Sequence, residues 1–404
     1  MRVPRIAPAA GDAALYGLSA AFALVTALTS TLLPHRAWGF VALWGYLAAL
    51  LSTTLLRGLG ARLSVTWFTW GTTTLLPLVL QAVQRAGGRT DRAQEEVLVV
   101  EHMGERLAHT GTPYLSREAI TALPPGEQLL GYAPYQPGMS IFGLPRAAFG
   151  EVWCTDARIW FALVTAGALG AAVRLLPTSD PLVRALQFAT VLPLCALTLA
   201  TGGDDLPVLA FSLLALACCA SGRFASAGFA VGAAAALKLF AFPVLAVLLV
   251  LAYNRGGLRR FLPGALGLPI LTLLPAFLVH ADAFVENVLR FPLGHGVVTS
   301  PAQSPFPGYL ISQALPGGRF VAAALLVVAA LTVAVLLVRR PPRTAAGAAL
   351  FSGLGLLAAI LLMPTTRFGY LLYPLALLLW APALTLREPT GTSPPRSDTA
   401  LYRL

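Results

Sequence analysis

Charge is scarce in this sequence. Only 11% of its 404 residues are Asp, Glu, Lys or Arg, against 57% hydrophobic, and a single lysine, Lys238, stands beside 27 arginines. A chain with so little charge and a mean hydropathy of +0.75 cannot clothe a water-soluble globule of this length, which excludes a cytosolic enzyme. Cysteine is nearly absent too. Cys195, Cys218 and Cys219 lie within apolar runs and Cys154 has no evident partner, which excludes a disulfide framework and a zinc pattern and leaves them as small buried hydrophobes. A net charge of +11 raises the question of a nucleic-acid partner. No basic patch alternates with aromatics, however, and the arginines sit at the ends of apolar runs, as in the inner loops of membrane proteins. Heptads, short repeats and a soluble domain of useful size are also missing.

What remains is a succession of apolar runs of membrane-spanning length. They cover residues 14–33, 38–56, 63–83, 159–176, 185–200, 206–220, 224–253, 261–280, 320–338, 345–363 and 371–386. The fold class is therefore all-α and polytopic, a single transmembrane domain over residues 1–388 with about eleven transmembrane helices. The short basic start leads directly into the first full-length run, so no cleavable signal is expected. The run at 224–253 has arginines at both ends and is long for one span and short for two, which predicts two short helices meeting near Lys238 and Pro243. Residues 389–404 are polar and are expected to form a disordered cytoplasmic tail.

Placing the basic loops inside leaves two long loops outside. The larger, 86–152, is too apolar at 139–149 for a solvated linker and is expected to carry amphipathic helices along the interface. The second, 280–318, is rich in Pro and Gly. Thirteen of the seventeen acids and all five histidines fall at or beyond the outer ends of the runs. Groups able to move protons are thus massed on one side, and a site there would face outward.

The most acidic stretch is Arg89 to Glu105, RTDRAQEEVLVVEHMGE. On a helix turning about 100° per residue, Asp91, Glu95, His102 and His109 share one face, and Glu101 and Glu105 another. Glu96 falls with Val100, Met103 and Leu107 on the apolar stripe. Burial there favours the proton-accepting role of a general base unless a cation compensates it. The plainer reading is that these acids cap and solvate a surface helix. Lys238, within AAAALKLFAFPVL, is an ionisable group at membrane depth; it either holds a partner such as a phosphate or snorkels to the interface. Arg367 in MPTTRFGY is a second candidate phosphate clamp, since guanidinium forks suit phosphate oxygens. Tyr370 follows it as a candidate substrate-binding aromatic. His295 in FPLGHG is a third phosphate candidate. Tyr132 and Tyr135, in the compact YAPYQPG, would suit a sugar or lipid wall, or else a rigid turn. Asp204 and Asp205 precede a helix start, where one is explained by capping; together they are candidates for substrate binding. Such sparse oxygen ligands do not by themselves make a divalent-cation site.

The acidic segment leading into a helix that ends Gly111-Thr-Pro-Tyr114, the Tyr-X-Pro-Tyr element at Tyr132, and Lys238 before Phe-Pro together resemble family 87 glycosyltransferases of the GT-C superfamily. These are bacterial membrane mannosyltransferases, many of them actinobacterial, and the similarity runs over roughly residues 85–385. The resemblance implies an enzyme of the cytoplasmic membrane that takes a sugar, mannose in the family's pattern, from a polyprenyl-phosphate donor. The sugar would pass with inversion to a lipid, wall or glycan acceptor on the outer face. The donor would be lipid-linked, with no nucleotide sugar and no certain cofactor, a divalent cation being possible but not indicated; partners would be membrane lipids, donor and acceptor, and no nucleic acid. Counting back from Gly111-Thr-Pro-Tyr114 puts the family's catalytic acid at Glu96, with Glu101, Asp91 and Glu95 as alternatives. This chain has Glu where the family commonly has Asp, and two runs precede the one leading to the loop. Lys238, Arg367 and His295 would hold the donor phosphate. The rival classes are a secondary transporter, which usually shows repeated halves that are not visible here, and a lipid-carrier flippase or its non-catalytic partner.

Overall fold

The structure, a computed structural model, describes residues 8–388; the polar tail read as disordered lies outside the described residues. The fold is a bundle of helices: α1 (Pro8–Thr29), α2 (Leu33–Leu55), α3 (Leu59–Ala86), α4 (Glu95–Thr110), α5 (Ala157–Leu175), α6 (Asp180–Thr190), α7 (Pro193–Thr201), α8 (Asp205–Ala220), α9 (Phe224–Leu237), α10 (Ala241–Asn254), α11 (Leu258–Val279), α12 (Gly318–Arg339), α13 (Ala345–Leu362) and α14 (Leu372–Thr385). Extended pairing among the described residues is limited to one isolated bridge, Gln303 with Thr366.

The polytopic class holds, while the expected count of about eleven is not confirmed. Eight helices among the described residues are long and apolar enough to cross a membrane, or nine if the bent pair α6 and α7 is one span. The difference lies in interruptions that hydropathy alone does not register. Residues 185–200 read as one apolar run, yet the chain bends by 42° between α6 and α7. Pro193 opens α7, supplying no backbone N–H at the point where the first helix would otherwise continue. The run at 206–220 forms α8, only 16 residues long. Residues 224–253 form the expected pair: α9 stops at Leu237, Lys238 to Phe240 break the helix, and α10 returns.

This hairpin sets the depth at which the polar residues at its tip lie. Arg255 donates to the Cys219 carbonyl at 3.2 Å, so the end of α8, the start of α9 and the end of α10 meet at one arginine-rich end of the bundle. At about 1.5 Å per residue, α8 and α9 reach roughly 24 and 21 Å from that end, short of a hydrocarbon core of about 30 Å. Asp204, Asp205 and Lys238 at their far ends therefore sit recessed below the opposite surface. Small residues seat the hairpin closely on α11: a Cβ on Gly228 would come within 2.0 Å of the Phe261 carbonyl oxygen, and one on Gly232 within 2.1 Å of that of Gly264. Glycine at both positions is what lets the backbones of α9 and α11 approach.

The N-terminal pair is bound into the bundle rather than appended to it. Asp12, 2% exposed, takes Arg62 Nε at 2.5 Å, Arg184 Nη2 at 3.1 Å and Gln187 Nε2 at 3.1 Å. Pro77 cannot donate to the Thr73 carbonyl one turn earlier, and the Trp38 indole takes that acceptor at 2.8 Å. Asp12, Arg62, Asp180 and Arg184 thus gather at the arginine-rich end, while the acidic loop segment lies at the other.

Candidate functional site

Helix α4 carries the acidic segment to the acid-bearing end. Its first turn holds Glu95 and Glu96, where the helix dipole favours negative charge. The residue before it, Gln94, is pinned to the end of α7: its amide donates to the Thr201 carbonyl at 3.0 Å, and its Oε1 accepts from the Thr201 hydroxyl at 2.8 Å. Val97, Val99, Val100 and Met103 bury the inner face. Gly104 and Gly143 let α4 lie directly on the turn Pro137–Phe142, since a Cβ on Gly143 would stand 2.2 Å from the Val100 carbonyl oxygen. Left-handed Gly111, at φ 75°, ends the helix.

Glu96 is half-buried at the rim, and its carboxylate is ion-paired with Arg367. The two side chains are 16% and 36% exposed, so the pair is open on one side. Arg367 arrives from the loop after α13. That loop is held against the loop 280–318, with the Thr366 amide donating to the Ala302 carbonyl at 3.0 Å and the Ser304 amide to the Thr366 carbonyl at 2.9 Å. The cation that compensates Glu96 is therefore 271 residues away in sequence.

Beneath the rim lies a buried cluster. Lys238 Nζ donates to Asp204 Oδ2 at 2.7 Å and Asp205 Oδ1 at 2.5 Å, and the Tyr373 hydroxyl donates to Asp205 Oδ1 at 2.7 Å. The rings of Tyr135 and Tyr370 face the ammonium with centroids 5.2 and 5.5 Å away. Phe240 stacks on Tyr373 at 5.3 Å and tilts against Tyr370 at 4.6 Å. Gln136 ties the loop 86–152 to the break after α9 by donating its backbone amide to the Leu237 carbonyl at 3.1 Å. Burial, then the Asp204 and Glu96 carboxylates, push the Tyr135 phenol well above its ordinary value, so it stays a neutral donor.

Seven of the residues singled out by the sequence, Glu96, Lys238, Arg367, Asp204, Asp205, Tyr135 and Tyr370, come together here. Lys238, read as a phosphate clamp, has its ammonium occupied by two carboxylates. The other candidates lie elsewhere. Asp91 pairs with Arg89 at 3.0 Å and Arg92 at 2.7 Å on the surface, and Glu95 is exposed. His295 is exposed, and it is its carbonyl that accepts from Arg117 at 2.9 Å. Tyr132 is buried away from the rim, donating to Glu286 Oε1 at 2.8 Å, accepting from the Val297 amide at 2.7 Å and stacking on Phe291 at 4.1 Å. With Arg117 on Glu286 at 3.0 Å, it clasps the loop 86–152 to the loop 280–318.

Glu101 is 4% exposed and held in a network, not on a solvated face. Arg85 grips it bidentately at 2.6 and 2.7 Å, Arg146 reaches it at 3.2 Å, and the Ala157 amide donates at 3.2 Å. Asp156 extends the network through Arg85 at 3.1 Å and the fully buried Arg158 at 2.8 Å. Burial alone would raise the Asp156 carboxyl, but Arg158 and Arg85 outweigh it and hold it at about 2. Because that lies below the unfolded value of about 3.9, its contribution is present above pH ~4 and lost as the pH falls toward 2. Glu101→Gln is expected to cost about 3 kcal/mol, because it leaves Arg85 short of a buried partner. Thermal unfolding in detergent checks this: a lower melting temperature with turnover per folded molecule retained is the expected pattern, and lost turnover in a fully stable variant would place Glu101 in the chemistry.

The sequence did not flag Tyr373, Arg85, Arg117 or Glu286. Tyr373 carried a signal, lying one helical turn beyond Tyr370.

Among the described residues no group of three His, Cys, Asp or Glu could hold a metal ion. A half-open carboxylate–guanidinium pair thus lies beside a buried aromatic and acidic cluster at one end of a helical bundle. The sequence model of glycosyltransferase family 87 matches residues 132–364, more than half of the chain, and the chain belongs to that family. The crystal structure of ArnT from Cupriavidus metallidurans bound to undecaprenyl phosphate is similar at a TM-score of 0.47 and 16% identity, covering 78% of this chain. The match spans 59% of that protein's length. No curated protein matches the chain in sequence.

Proposed function

We propose that the chain transfers a hexose, mannose in the pattern the family resemblance implies, from a polyprenyl-phosphate donor to a hydroxyl of a glycan, lipid or wall acceptor. The site would face the outer side of the cytoplasmic membrane, because the arginine-rich helix ends lie opposite the acidic rim. In this reading the GT-C architecture carries the catalytic acid on its first outer loop. The observation that carries the proposal is the Glu96–Arg367 pair, half-open beside the buried cluster in which Tyr135 and Tyr370 face Lys238. Glu96 would accept the proton of the acceptor hydroxyl as its oxygen attacks the anomeric carbon from the face opposite the phosphate, which inverts the centre. The carbon–oxygen bond to the phosphate breaks, and polyprenyl phosphate leaves with the electron pair. The open side of Arg367 faces this developing charge and stabilises it.

Lys238 then has a different part from the clamp expected of it. Its ammonium is taken up by Asp204 and Asp205 inside the bundle, so it ties α8 to α9 beneath the rim and leaves Arg367 to meet the phosphate. Purified protein given labelled polyprenyl-phospho-mannose is expected to consume it and release polyprenyl phosphate. Transfer from a nucleotide sugar, with the lipid-linked donor untouched, would overturn the proposal.

A further inference from the structure

The second outer loop encloses a cavity of about 140 Å³ against the start of α12, bounded by Gly294, Gly296, Thr299, Ser300, Arg319 and Thr365 among others. It is separate from the Glu96 rim yet adjacent to it: Thr365 is two residues from Arg367, a Cα separation of about 7 Å at most. We propose that this cavity is a binding site for the phosphate group of a lipid.

The chemistry of its walls is that of an anion site. Arg319 is exposed, and among the described residues it bonds only the Gly294 carbonyl, at 3.4 Å, with no carboxylate within reach. It differs in this from Arg367, Arg117 and Arg85, each of which is paired with an acid. The Ser300 oxygen accepts from the Ala302 amide at 3.3 Å, which leaves its proton free to donate. Among the described residues the amides of Gly296, Val298, Thr299 and Ser300 have no partner, while that of Val297 is taken by Tyr132. A run of unpaired amides beside a guanidinium and two hydroxyls offers an anion many donors and no competing acid. The clasp of Tyr132 with Glu286 and Arg117 holds this loop in place from behind.

The surroundings select a lipid rather than a free ion. Leu293, next to Gly294, is 66% exposed, and Phe320, next to Arg319, is 83% exposed. An acyl or prenyl chain lying on these two side chains would bring its phosphate to Arg319. Two sources share this chemistry: the polyprenyl phosphate of the proposed donor and the headgroup of a membrane phospholipid. Only the first rests on the proposed function.

The test measures binding of four probes to the full chain in detergent: a short-chain polyprenyl monophosphate, the matching polyprenol, phosphatidylglycerol and inorganic phosphate. Arg319→Ala, at an exposed position, is expected to weaken polyprenyl monophosphate about tenfold or more, the loss of one charge-assisted contact, and to leave the polyprenol unchanged. Arg319→Lys should recover part of that loss. The same dependence for phosphatidylglycerol alone would identify the ligand as a phospholipid headgroup. Lipid affinities indifferent to Arg319, or binding of inorganic phosphate only, would overturn the site. The outcomes separate from those for the proposed function. Wild-type protein that binds polyprenyl phosphate through Arg319 but transfers no sugar from it keeps the site and loses the function, whereas Arg319→Ala with normal binding and normal donor KM does the reverse.

Discussion

Glu96→Gln is expected to lower the rate of sugar transfer by about 10²- to 10⁴-fold, the usual worth of a positioned general base. The substitution keeps the side chain's length and its hydrogen-bond acceptor toward Arg367 but removes the basicity that takes the acceptor proton. Glu96 is half-buried at the start of α4, with its backbone fixed by Gln94 and Thr201, so the fold does not depend on its charge. The melting temperature should stay close to wild type and binding of the lipid donor should persist. The loss should therefore appear in kcat rather than in KM, as for an interaction made in the transition state. Glu95→Gln, one residue away but exposed, is the internal control and should transfer at the normal rate. Full activity of Glu96→Gln would remove Glu96 from the mechanism; a collapse in stability would recast the Glu96–Arg367 pair as a structural tie between the two outer loops.

The site was legible in the sequence to the extent that its parts announce themselves locally. Apolar runs located most helices, and the break at Lys238 followed from arginines at both ends of a run too short for two spans. The helical register of α4 separated Glu96 from its neighbours. The same register holds a second clue: Val97, Val100, Glu101 and Gly104 stand at i, i+3, i+4 and i+7, a single buried face with an acid on it. That acid is tolerable only because Arg85 and Arg146 reach it, and such partners depend on tertiary packing. Arg367 for Glu96, and Glu286 for Arg117, are separated by 271 and 169 residues, distances over which no periodicity carries information. The bend between α6 and α7 was missed for a related reason, since hydropathy weighs composition and is blind to the direction of a helix axis.

Lys238→Met is expected to be the most destabilising single change in the site, by about 3–5 kcal/mol, because it leaves Asp204 and Asp205 buried beside each other with no cation. Either acid alone is cheaper to lose. Asp204→Asn leaves a one-to-one pair of Lys238 with Asp205, still supported by the Tyr373 hydroxyl, and should unfold near the wild-type temperature. The triple change Asp204→Asn, Asp205→Asn, Lys238→Met removes every charge at once and should recover most of the stability lost by Lys238→Met, as buried ion clusters do when replaced whole. Transfer should not recover with it, since the ammonium that Tyr135 and Tyr370 face beneath the Glu96–Arg367 pair is gone. A phosphate clamp at Lys238 would give a different pattern: a raised donor KM, little change in melting, and no rescue by removing the acids. Thermal unfolding of the three variants beside their donor KM decides between the two roles, and a Lys238→Met protein as stable as wild type would show that the acids, not the lysine, adapt to the depth at which α8 and α9 end.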